Sequence, residues 1–92
     1  MFLHLGENVV IPLKEVIAIF DITSTSSIDT KEFLKTAEEE GFVRRITKDE
    51  PKSFILTERD KKSIIYLSPI SSLTLAKRSC FIDEFSKGDL NE

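Results

Sequence analysis

Two side chains in this 92-residue chain could form a nucleophile and base pair: the single thiol, Cys80, and the single imidazole, His4. Nucleophilic catalysis needs these groups within hydrogen-bond reach, and neither lies in a motif typical of thiol enzymes. Cys80 precedes Phe81 and Ile82, which favours a small packing residue, and His4 stands among apolar strand residues. The sequence predicts no enzyme; an enzyme that uses Cys80 is the third and weakest hypothesis.

Residue spacing gives no support for a nucleotide site or a metal site. Gly6, Gly41 and Gly88 are scattered along the chain, whereas a loop that cradles phosphate needs closely spaced glycines. The carboxylate runs Glu38–Glu40 and Asp83–Glu84 lack histidine partners and the spacing of a calcium loop, which indicates solvated surface. We therefore expect no cofactor, no metal ion and no small-molecule substrate.

The cysteine content and the absence of long apolar stretches indicate a compartment. One cysteine excludes an internal disulfide and a zinc site made of several cysteines. The first residues show no basic segment followed by an apolar run, and no stretch approaches the roughly 18 apolar residues of a membrane span. These features predict a cytoplasmic protein with no membrane partner. Because so short a chain buries only roughly 60 to 65% of its unfolded surface, subunit association would add stability.

Charge is distributed in three blocks, although the net charge is only −3. Residues 1–43 contain three Lys against eight Asp or Glu, whereas residues 44–78 contain nine Lys or Arg against four acids. The last fourteen residues contain one Lys against four acids. The middle block could therefore supply a local rim that contacts phosphate, although charge scattered on turns is more often solvated surface.

The chain begins with a predicted hairpin and an apolar strand. Phe2–Leu5 and Val9–Ile11 flank a three-residue loop, and Pro12 is expected to stop the pairing. Val16–Ile22 is apolar and β-branched at most positions, which is typical of a strand buried on both faces. The residues just before this segment could instead start a short helix.

The clearest helix signal extends from about Thr30 to Glu40. With Asp29 as the N-cap, Glu32 falls at the spacing of a capping box, and Ile28 with Phe33 forms a hydrophobic staple. The sequence therefore specifies where the helix begins.

The predicted end of this helix is equally well marked. Gly41 suits the left-handed position after the last turn, and Phe42 can fold back on Ala37 as in a Schellman motif. Phe33, Leu34 and Ala37 are expected to form the buried stripe of the helix. The acidic run at its end is expected to be solvated.

Three further strands and a second helix complete the predicted fold. The strand candidates are Phe42–Thr47, Lys52–Thr57 and Ser63–Ser68, expected to pair as an antiparallel meander. Ser71 or Ser72 can cap a short helix through about Arg78. We predict the α+β class, with a single domain over 1–78 and a small, mostly antiparallel sheet of five to six strands. One well-capped helix, one short C-terminal helix and a partly disordered acidic tail over 79–92 complete the prediction.

Several segments occur in an order that resembles a known family over roughly residues 1–78. They are Phe2–Gly6, Val9–Val10, Val16–Asp21, Pro51–Thr57 and Tyr66–Arg78. The chain resembles the small bacterial extracellular-matrix (biofilm) regulators, the RemA/RemB family, and is closer to the RemB-like branch. The resemblance implies a small α+β subunit that assembles from dimers into ring-like oligomers. It also implies DNA binding upstream of matrix genes, which is the activity of the RemA branch.

The resemblance assigns basic positions one by one. The RemA branch has an arginine just before its third strand, where this chain has Lys14, and an arginine pair before the strand that begins at Lys52. The pair falls here on Glu50 and Pro51 or on the neighbouring Asp49, while Lys52 aligns with a further basic residue. A carboxylate repels phosphate, and lysine does not reproduce the bidentate contacts of arginine.

Two hypotheses from different classes follow. The leading one is a non-enzymatic transcriptional regulator of matrix and biofilm genes that binds the backbone of double-stranded DNA as a ring-like homo-oligomer. Its expected phosphate rim consists of Lys14, Lys52, Arg44, Arg45 and Arg59. The alternative is an adaptor that joins or modulates a RemA-like ring without contacting DNA, which the acidic first block and the missing arginine pair favour.

Overall fold

Six strands in two sheets and two α-helices make up the computed structural model, which describes residues 1–23 and 28–79. The elements are β1 (Phe2–Gly6), β2 (Val9–Pro12), β3 (Val16–Asp21), α1 (Ile28–Glu39), β4 (Val43–Arg45), β5 (Ser53–Arg59), β6 (Lys62–Ser68) and α2 (72–79). The α+β class is confirmed. However, the strands divide into a two-stranded and a four-stranded sheet instead of forming one sheet.

The predicted hairpin forms the two-stranded sheet. β1 and β2 pair antiparallel from Phe2 opposite Pro12 to Gly6 opposite Val9, so the loop has two residues instead of three. Pro12 is thus the last paired residue, as expected of a residue without a backbone N–H. His4 Nε2 donates a hydrogen bond to the Glu7 carbonyl oxygen at 2.8 Å, which closes the turn.

The predicted apolar strand lies at an edge of the four-stranded sheet. A 3-10 helix over Leu13–Glu15 leads directly into β3, so both alternatives for this stretch occur in succession. β3 pairs with β5 alone, and Ile17 is 55% exposed at a bulge. The prediction of burial on both faces is wrong, because the layers packed on the sheet do not fully cover this edge strand and leave Ile17 and Phe20 exposed.

Helix α1 differs from the prediction at its start. It begins at Ile28, so Asp29 lies in the first turn and not at the N-cap, which also removes Glu32 from its predicted place in a capping box. The side chain of Ile28, and with it the predicted staple, lies outside the described residues. Phe33 is 52% exposed, so it is not part of the buried stripe, which consists of half-buried Leu34 and buried Ala37.

The predicted end of α1 is confirmed in detail. Gly41 has φ +83°, in the left-handed region that glycine tolerates. The Phe42 amide donates to the Ala37 carbonyl at 2.8 Å and the Gly41 amide donates to the Glu38 carbonyl at 3.1 Å. This pair of hydrogen bonds is the Schellman motif, and it directs the chain back into the sheet.

The predicted meander is wrong at its first strand. β4 has only three residues and pairs parallel with β6, and the sheet order is β3-β5-β6-β4. The connection over 46–52 crosses the end of β6, where the Ile46 amide donates to Leu67 at 3.1 Å and the Lys52 amide donates to Ser68 at 2.8 Å. A hairpin needs only two to five loop residues, whereas this longer connection carries the chain past one strand.

The β5–β6 pair is the hairpin that the sequence predicts, with a shorter turn. Arg59 pairs with Lys62, which leaves Asp60 and Lys61 as a two-residue loop. Both have positive φ, +53° and +66°, which is the type I′ geometry that matches the twist of the strands.

Neighbouring residues of the central strand β5 point into two different cores. Phe54 packs on the α1 side, with Ala37, Ile65 and Leu67. Ile55 packs on the other side, in a cluster whose buried members are Leu3, Leu5, Ile11, Ile55 and Leu75. Because side chains alternate along a strand, one sheet supports α1 on one face and the hairpin with α2 on the other.

A pair of buried serines, Ser53 and Ser68, hydrogen-bonds this second layer to the sheet, and we call the pair the serine clasp. Ser53 and Ser68 face each other in register and are fully buried. Ser68 Oγ donates to the Leu5 carbonyl at 2.5 Å and accepts from the Ile70 amide at 3.0 Å. Ser53 Oγ donates to the Ile70 carbonyl at 2.7 Å. The clasp thus joins β1, the sheet and the segment before α2.

The second helix begins as the sequence predicts. Ser71 Oγ accepts from the Thr74 amide at 3.2 Å, which identifies Ser71 as the N-cap. Leu75 is buried in the core, and Arg78 Nη1 donates to the His4 carbonyl at 3.1 Å. The predicted tail lies outside the described residues from position 80 onwards.

Candidate phosphate-binding surface

The two ends of the four-stranded sheet divide the five predicted cations. We call the end with the β5–β6 turn the turn end, and the end crossed by residues 46–52 the crossover end. Lys14 and Arg59 lie at the turn end, because β3 starts opposite the last residues of β5. Lys52 lies at the crossover end, one residue before β5 begins. The predicted rim is therefore not one continuous row.

Arg44 and Arg45 point to opposite faces of β4, as adjacent strand residues must. Arg45 Nε lies 3.3 Å from Glu38 Oε2 of α1, so it belongs to the α1 face. Arg44 Nη1 donates to the carbonyls of Gly41 at 2.9 Å and Val43 at 3.3 Å, which directs its guanidinium towards the turn end.

Besides Lys14, four cations lie at the turn end, on β4 and around the β5–β6 turn, and we call these four the turn-end cluster. They are Arg44, Arg59, Lys61 and Lys62. Arg44, Lys61 and Lys62 line one surface depression of about 540 Å³ together with Phe42 and Ile64.

Arg59 is placed across the turn from Lys62 by the strand register. The arrangement gives a cationic rim around a partly apolar floor.

Ion pairs within the chain use two of the five predicted cations. Arg59 Nε lies 3.5 Å from Glu15 Oε2, and Arg45 makes the contact with Glu38 described above. Both partners of the Arg45–Glu38 pair are about half exposed, and a pair of this kind contributes about 0 to 1 kcal/mol, so phosphate can displace Glu38 at little cost. Arg59 is 70% exposed, but the Glu15 side chain is only 14% exposed, so displacing Glu15 leaves a largely buried carboxylate without its ion-pair partner.

The lysines are free of such partners. Across residues 1–23 and 28–79, Lys14, Lys52, Lys61 and Lys62 make no ion pair with a carboxylate. Lys14 lines a second depression beside Leu13, of about 530 Å³. A free ammonium group is a point charge that phosphate can approach from several directions.

The α1 face carries a different kind of surface, an apolar groove of about 420 Å³. Phe20 stacks on Phe54 with ring centroids 4.7 Å apart, and Phe33 of α1 forms the opposite wall. Phe20 and Phe33 are 39% and 52% exposed. Exposed aromatic side chains in one groove mark a contact surface more often than free solvent-facing area.

At the crossover end, Asp21 is held by hydrogen-bond donors. The hydroxyl of Thr23 at 2.7 Å and the Thr23 amide at 2.8 Å both donate to its Oδ1, and Ser72 Oγ donates to Oδ2 at 3.3 Å. These donors, with the Thr23 hydroxyl first, hold the pKa of the Asp21 carboxyl below its ordinary value of 3.8. The charged carboxylate thereby links the end of β3 to the start of α2.

Other site chemistry is limited in the described part of the chain. No three His, Cys, Asp or Glu side chains within 1–23 and 28–79 are grouped so as to hold a metal ion. No helix in these ranges is long and apolar enough to cross a membrane. Cys80 lies outside them, and the described contact of the His4 ring is the one to Glu7.

Comparison with known proteins identifies the family of the chain. The family model described as RemA-like, "Extracellular matrix regulatory protein A-like", matches residues 2–79. The chain belongs to the RemA-like family. Within that family, the chain is 36% identical over 84 residues to Extracellular matrix regulatory protein B of Bacillus subtilis (strain 168), covering 91% of this chain and 96% of that protein. The resemblance to the RemA/RemB family, on the RemB-like side, is confirmed.

The positions that the RemA-like resemblance assigns now have a place in the fold. Lys14 lies in the 3-10 helix immediately before β3, as the resemblance implies. Glu50 is exposed and Pro51 half-buried in the crossing connection, so the arginine-pair positions carry no cation here. Pro51 instead lines a hollow with Arg45 beside α1. The basic surface of this RemA-like protein is thus divided, with Lys61 and Lys62 beside Arg44 at the turn end and Lys31 and Lys35 beside Arg45 in the hollow next to α1.

Lys61 and Lys62 are the cations that the predicted rim omitted. Their signal in the sequence is the cluster of basic residues in the turn after Lys52–Thr57. Charged residues on a turn are more often typical of solvated surface. What makes them a candidate site is the register: it places them in one depression with Arg44. That neighbour comes from a strand that lies beyond β6, which only the parallel pairing reveals.

Proposed function

We propose that this RemA-like protein is a cytoplasmic, non-enzymatic regulator of extracellular-matrix and biofilm genes that binds the DNA backbone as a ring-like oligomer. The observation that carries the proposal is the turn-end cluster, which presents four exposed cations, three of them around one depression. The name of the Bacillus subtilis relative, Extracellular matrix regulatory protein B, supports a role in regulating matrix genes.

The chemistry of the turn-end cluster favours phosphate over bases. Of its members, only Arg59 has a carboxylate partner in the described chain, the largely buried Glu15, which leaves Arg44, Lys61 and Lys62 for phosphate. Lys61 and Lys62 lie on a turn, and the one aromatic residue that lines their depression is Phe42, whereas stacking on successive bases needs several aromatic side chains in a row. Contacts of this kind position a protein on DNA and carry no sequence information. Binding is therefore expected to be steeply salt-dependent and weakly selective for sequence.

Self-association supplies the avidity that a small cluster lacks. A ring repeats one cluster per subunit, and linked weak contacts bind far more tightly than a single one. The apolar groove of Phe20, Phe33 and Phe54 offers the contact surface, with a second copy of the chain as its occupant. The acidic first block and the basic middle block make a head-to-tail contact between copies electrostatically favourable, and such contacts close into rings.

The experiment is fluorescence anisotropy of a labelled duplex of about 60 base pairs, titrated at several salt concentrations. The test variant is Lys61→Gly with Lys62→Ala; glycine suits the positive φ at position 61, so the turn is kept. Loss of two phosphate contacts should reduce the slope of log K against log salt by about 1.8. Lys35→Ala on α1 is the matched control and should leave the slope unchanged. Binding that is selective for sequence and indifferent to salt would refute the proposal.

The adaptor remains the second candidate function, because the arginine-pair positions are occupied by Glu50 and Pro51. Lys61→Asp combined with Lys62→Glu separates the two functions, because it reverses two charges of the turn-end cluster and aspartate tolerates the positive φ at position 61. A DNA-binding regulator loses retardation of the duplex in this variant, whereas an adaptor still assembles with a RemA-like partner. Light scattering of the same samples reports whether the oligomer is intact. Wild-type protein that is folded and oligomeric but binds no duplex at any salt concentration would favour the adaptor.

A further inference from the structure

The depression of the turn-end cluster has both an apolar floor and a cationic rim. Its floor is apolar, with Phe42 46% exposed and Ile64 half-buried, and its rim is formed by Arg44, Lys61 and Lys62. A bare phosphate would satisfy the rim but leave Phe42 in contact with water. The matching ligand is a peptide that carries both aromatic and acidic side chains.

We infer that the chain's own C-terminal segment, residues 80–92, docks in this depression. The segment begins Cys80-Phe81-Ile82-Asp83-Glu84-Phe85, with two carboxylates between apolar residues. Over its whole length it carries four acids and one lysine. Its composition is complementary to an apolar floor with a cationic rim.

The place where the described chain ends makes this docking accessible. Ser79 lies in a depression with Val16 and Ile17, the first residues of β3, and so at the turn end. Its helix α2 covers the face of the sheet to which Ile64 and Lys62 also point, because Leu75 packs with Ile55 and Ile64 alternates with Ile65.

The C-terminal segment is long enough to reach the depression from Ser79. From β3 to β4 the sheet is three strand spacings wide, about 14 Å. Residues 80–85, which contain both phenylalanines and the first two carboxylates, extend to about 20 Å, so they can cross the sheet without rounding an edge.

The other hollows described above fit this segment less well. The depression at Lys14 has one cationic side chain, and the hollow beside α1 has a carboxylate, Glu38, among its cations and lies on the opposite face. The apolar groove of Phe20 and Phe33 lies on the opposite face and has Asp29 on its rim. A carboxylate at that rim would repel Asp83 and Glu84, whereas Lys61 and Lys62 attract them. Charge complementarity therefore selects the turn-end depression.

If the turn-end cluster binds DNA, as the proposed function states, docking of the segment competes with DNA binding. The docking itself does not depend on the proposed function. The carboxylates of the segment occupy the same cations that phosphate would use. DNA then competes with an intramolecular ligand whose effective concentration is set by a short tether. The segment thereby acts as a built-in competitor that raises the threshold for binding.

Zero-length carbodiimide cross-linking of the full chain, followed by mass spectrometry of the peptides, tests the docking. The expected main long-range product joins Lys61 or Lys62 to Asp83 or Glu84. Lys14 is the internal reference, because its neighbour Leu13 lines the same depression as Ser79 and an undocked segment would meet it first. Mixing isotope-labelled and unlabelled chains should give same-isotope products only.

The matched variant is Phe81→Ser with Phe85→Ser, which keeps every charge and removes the apolar contacts. Loss of the Lys61 and Lys62 products in this variant, with the Lys14 product retained, is the expected result. Products dominated by Lys14 in the wild-type chain, mixed-isotope products, or no change in the variant would each overturn the inference.

DNA binding by a second variant, Asp83→Asn with Glu84→Gln, distinguishes the inference from the proposed function. A severalfold gain in duplex affinity at constant salt supports both. If the wild-type cross-links form but the affinity is unchanged, the docking stands and the cluster is not the DNA-binding surface. If the cross-links are absent while the Lys61 and Lys62 variant still loses its salt dependence, the proposed function stands and the docking fails.

Discussion

Replacing Ser68 by alanine tests whether the serine clasp holds the hairpin layer on the sheet. The substitution removes one hydroxyl that serves two partners, the Leu5 carbonyl and the Ile70 amide. Ser68 and Leu5 have no exposed surface, so water cannot replace the bond to the Leu5 carbonyl, whereas the Ile70 amide is only half-buried. With about 1 to 3 kcal/mol for the buried carbonyl and about 1 kcal/mol for the half-buried amide, the expected loss is about 2 to 4 kcal/mol. For a domain of this size that lowers the Tm by roughly 10 to 25 °C.

Two other serines provide graded controls. Ser53→Ala loses only the bond to the Ile70 carbonyl and should cost about 1 to 2 kcal/mol. Ser63→Ala replaces an exposed serine of β6 and should change stability by less than about 0.5 kcal/mol. Because Ser53 and Ser68 both bind the peptide groups of Ile70, the double variant should be non-additive.

Urea denaturation followed by far-UV circular dichroism measures these differences in the free energy of unfolding. An unchanged m-value shows that each variant exposes the same amount of surface on unfolding. The reasoning fails if Ser68→Ala is no more destabilising than Ser63→Ala. It also fails if Ser53→Ala costs more than Ser68→Ala, because the first substitution breaks fewer buried hydrogen bonds.

The remaining predictions concern two glycines and one carboxylate. Gly41→Ala strains a φ of +83° in open space and should cost about 1 kcal/mol. Gly6→Ala strains a φ of +120° and also places a Cβ 2.8 Å from Pro69 Cγ, so thermal unfolding should show a larger loss, about 2 to 3 kcal/mol; the reverse ranking would contradict the model of the turn. The lowered pKa of Asp21 adds stability that is present above pH 3.8 and is lost as the pH falls through the folded-state pKa below it. In Thr23→Val the pKa of the Asp21 carboxyl, measured by NMR titration, should rise towards 3.8, and an unchanged pKa would show that the hydroxyl is not the main cause.

Features decided by neighbours in sequence could be predicted, because their hydrogen bonds close within a few residues. Gly41 after α1, Ser71 before α2 and the pairing of β1 with β2 are of this kind. At Gly41, for example, the left-handed backbone and the two Schellman bonds all involve residues within five positions. The family resemblance was equally visible, since it rests on the order of whole segments.

Features decided by distant residues could not be predicted. The parallel position of β4 depends on α1 and on the connection that crosses β6, and nothing in Val43–Arg45 states the direction of its partner. The exposure of Phe33 depends on which part of the sheet α1 covers, and its periodicity alone looks like core.

The same limit explains the incomplete prediction of the site. The residue types of the rim were identified, but the end of the sheet on which each cation lies follows from strand direction. Arg44 comes near Lys61 and Lys62 only because β4 pairs with β6 at the far edge of the sheet. Lys52, predicted for the same rim, lies at the opposite end of β5.

The core beneath the hairpin also has a consequence for protein synthesis. Its buried members extend from Leu3 to Leu75, so the first strand has no complete binding surface until nearly the whole domain has been translated. At about 5 to 20 residues per second, Leu3 and Leu5 wait roughly 4 to 14 seconds for Leu75. During that interval the nascent chain exposes an apolar hairpin that chaperones or a neighbouring nascent chain can bind. Slow translation before codon 75 should therefore increase misassembly more than an equal delay after it.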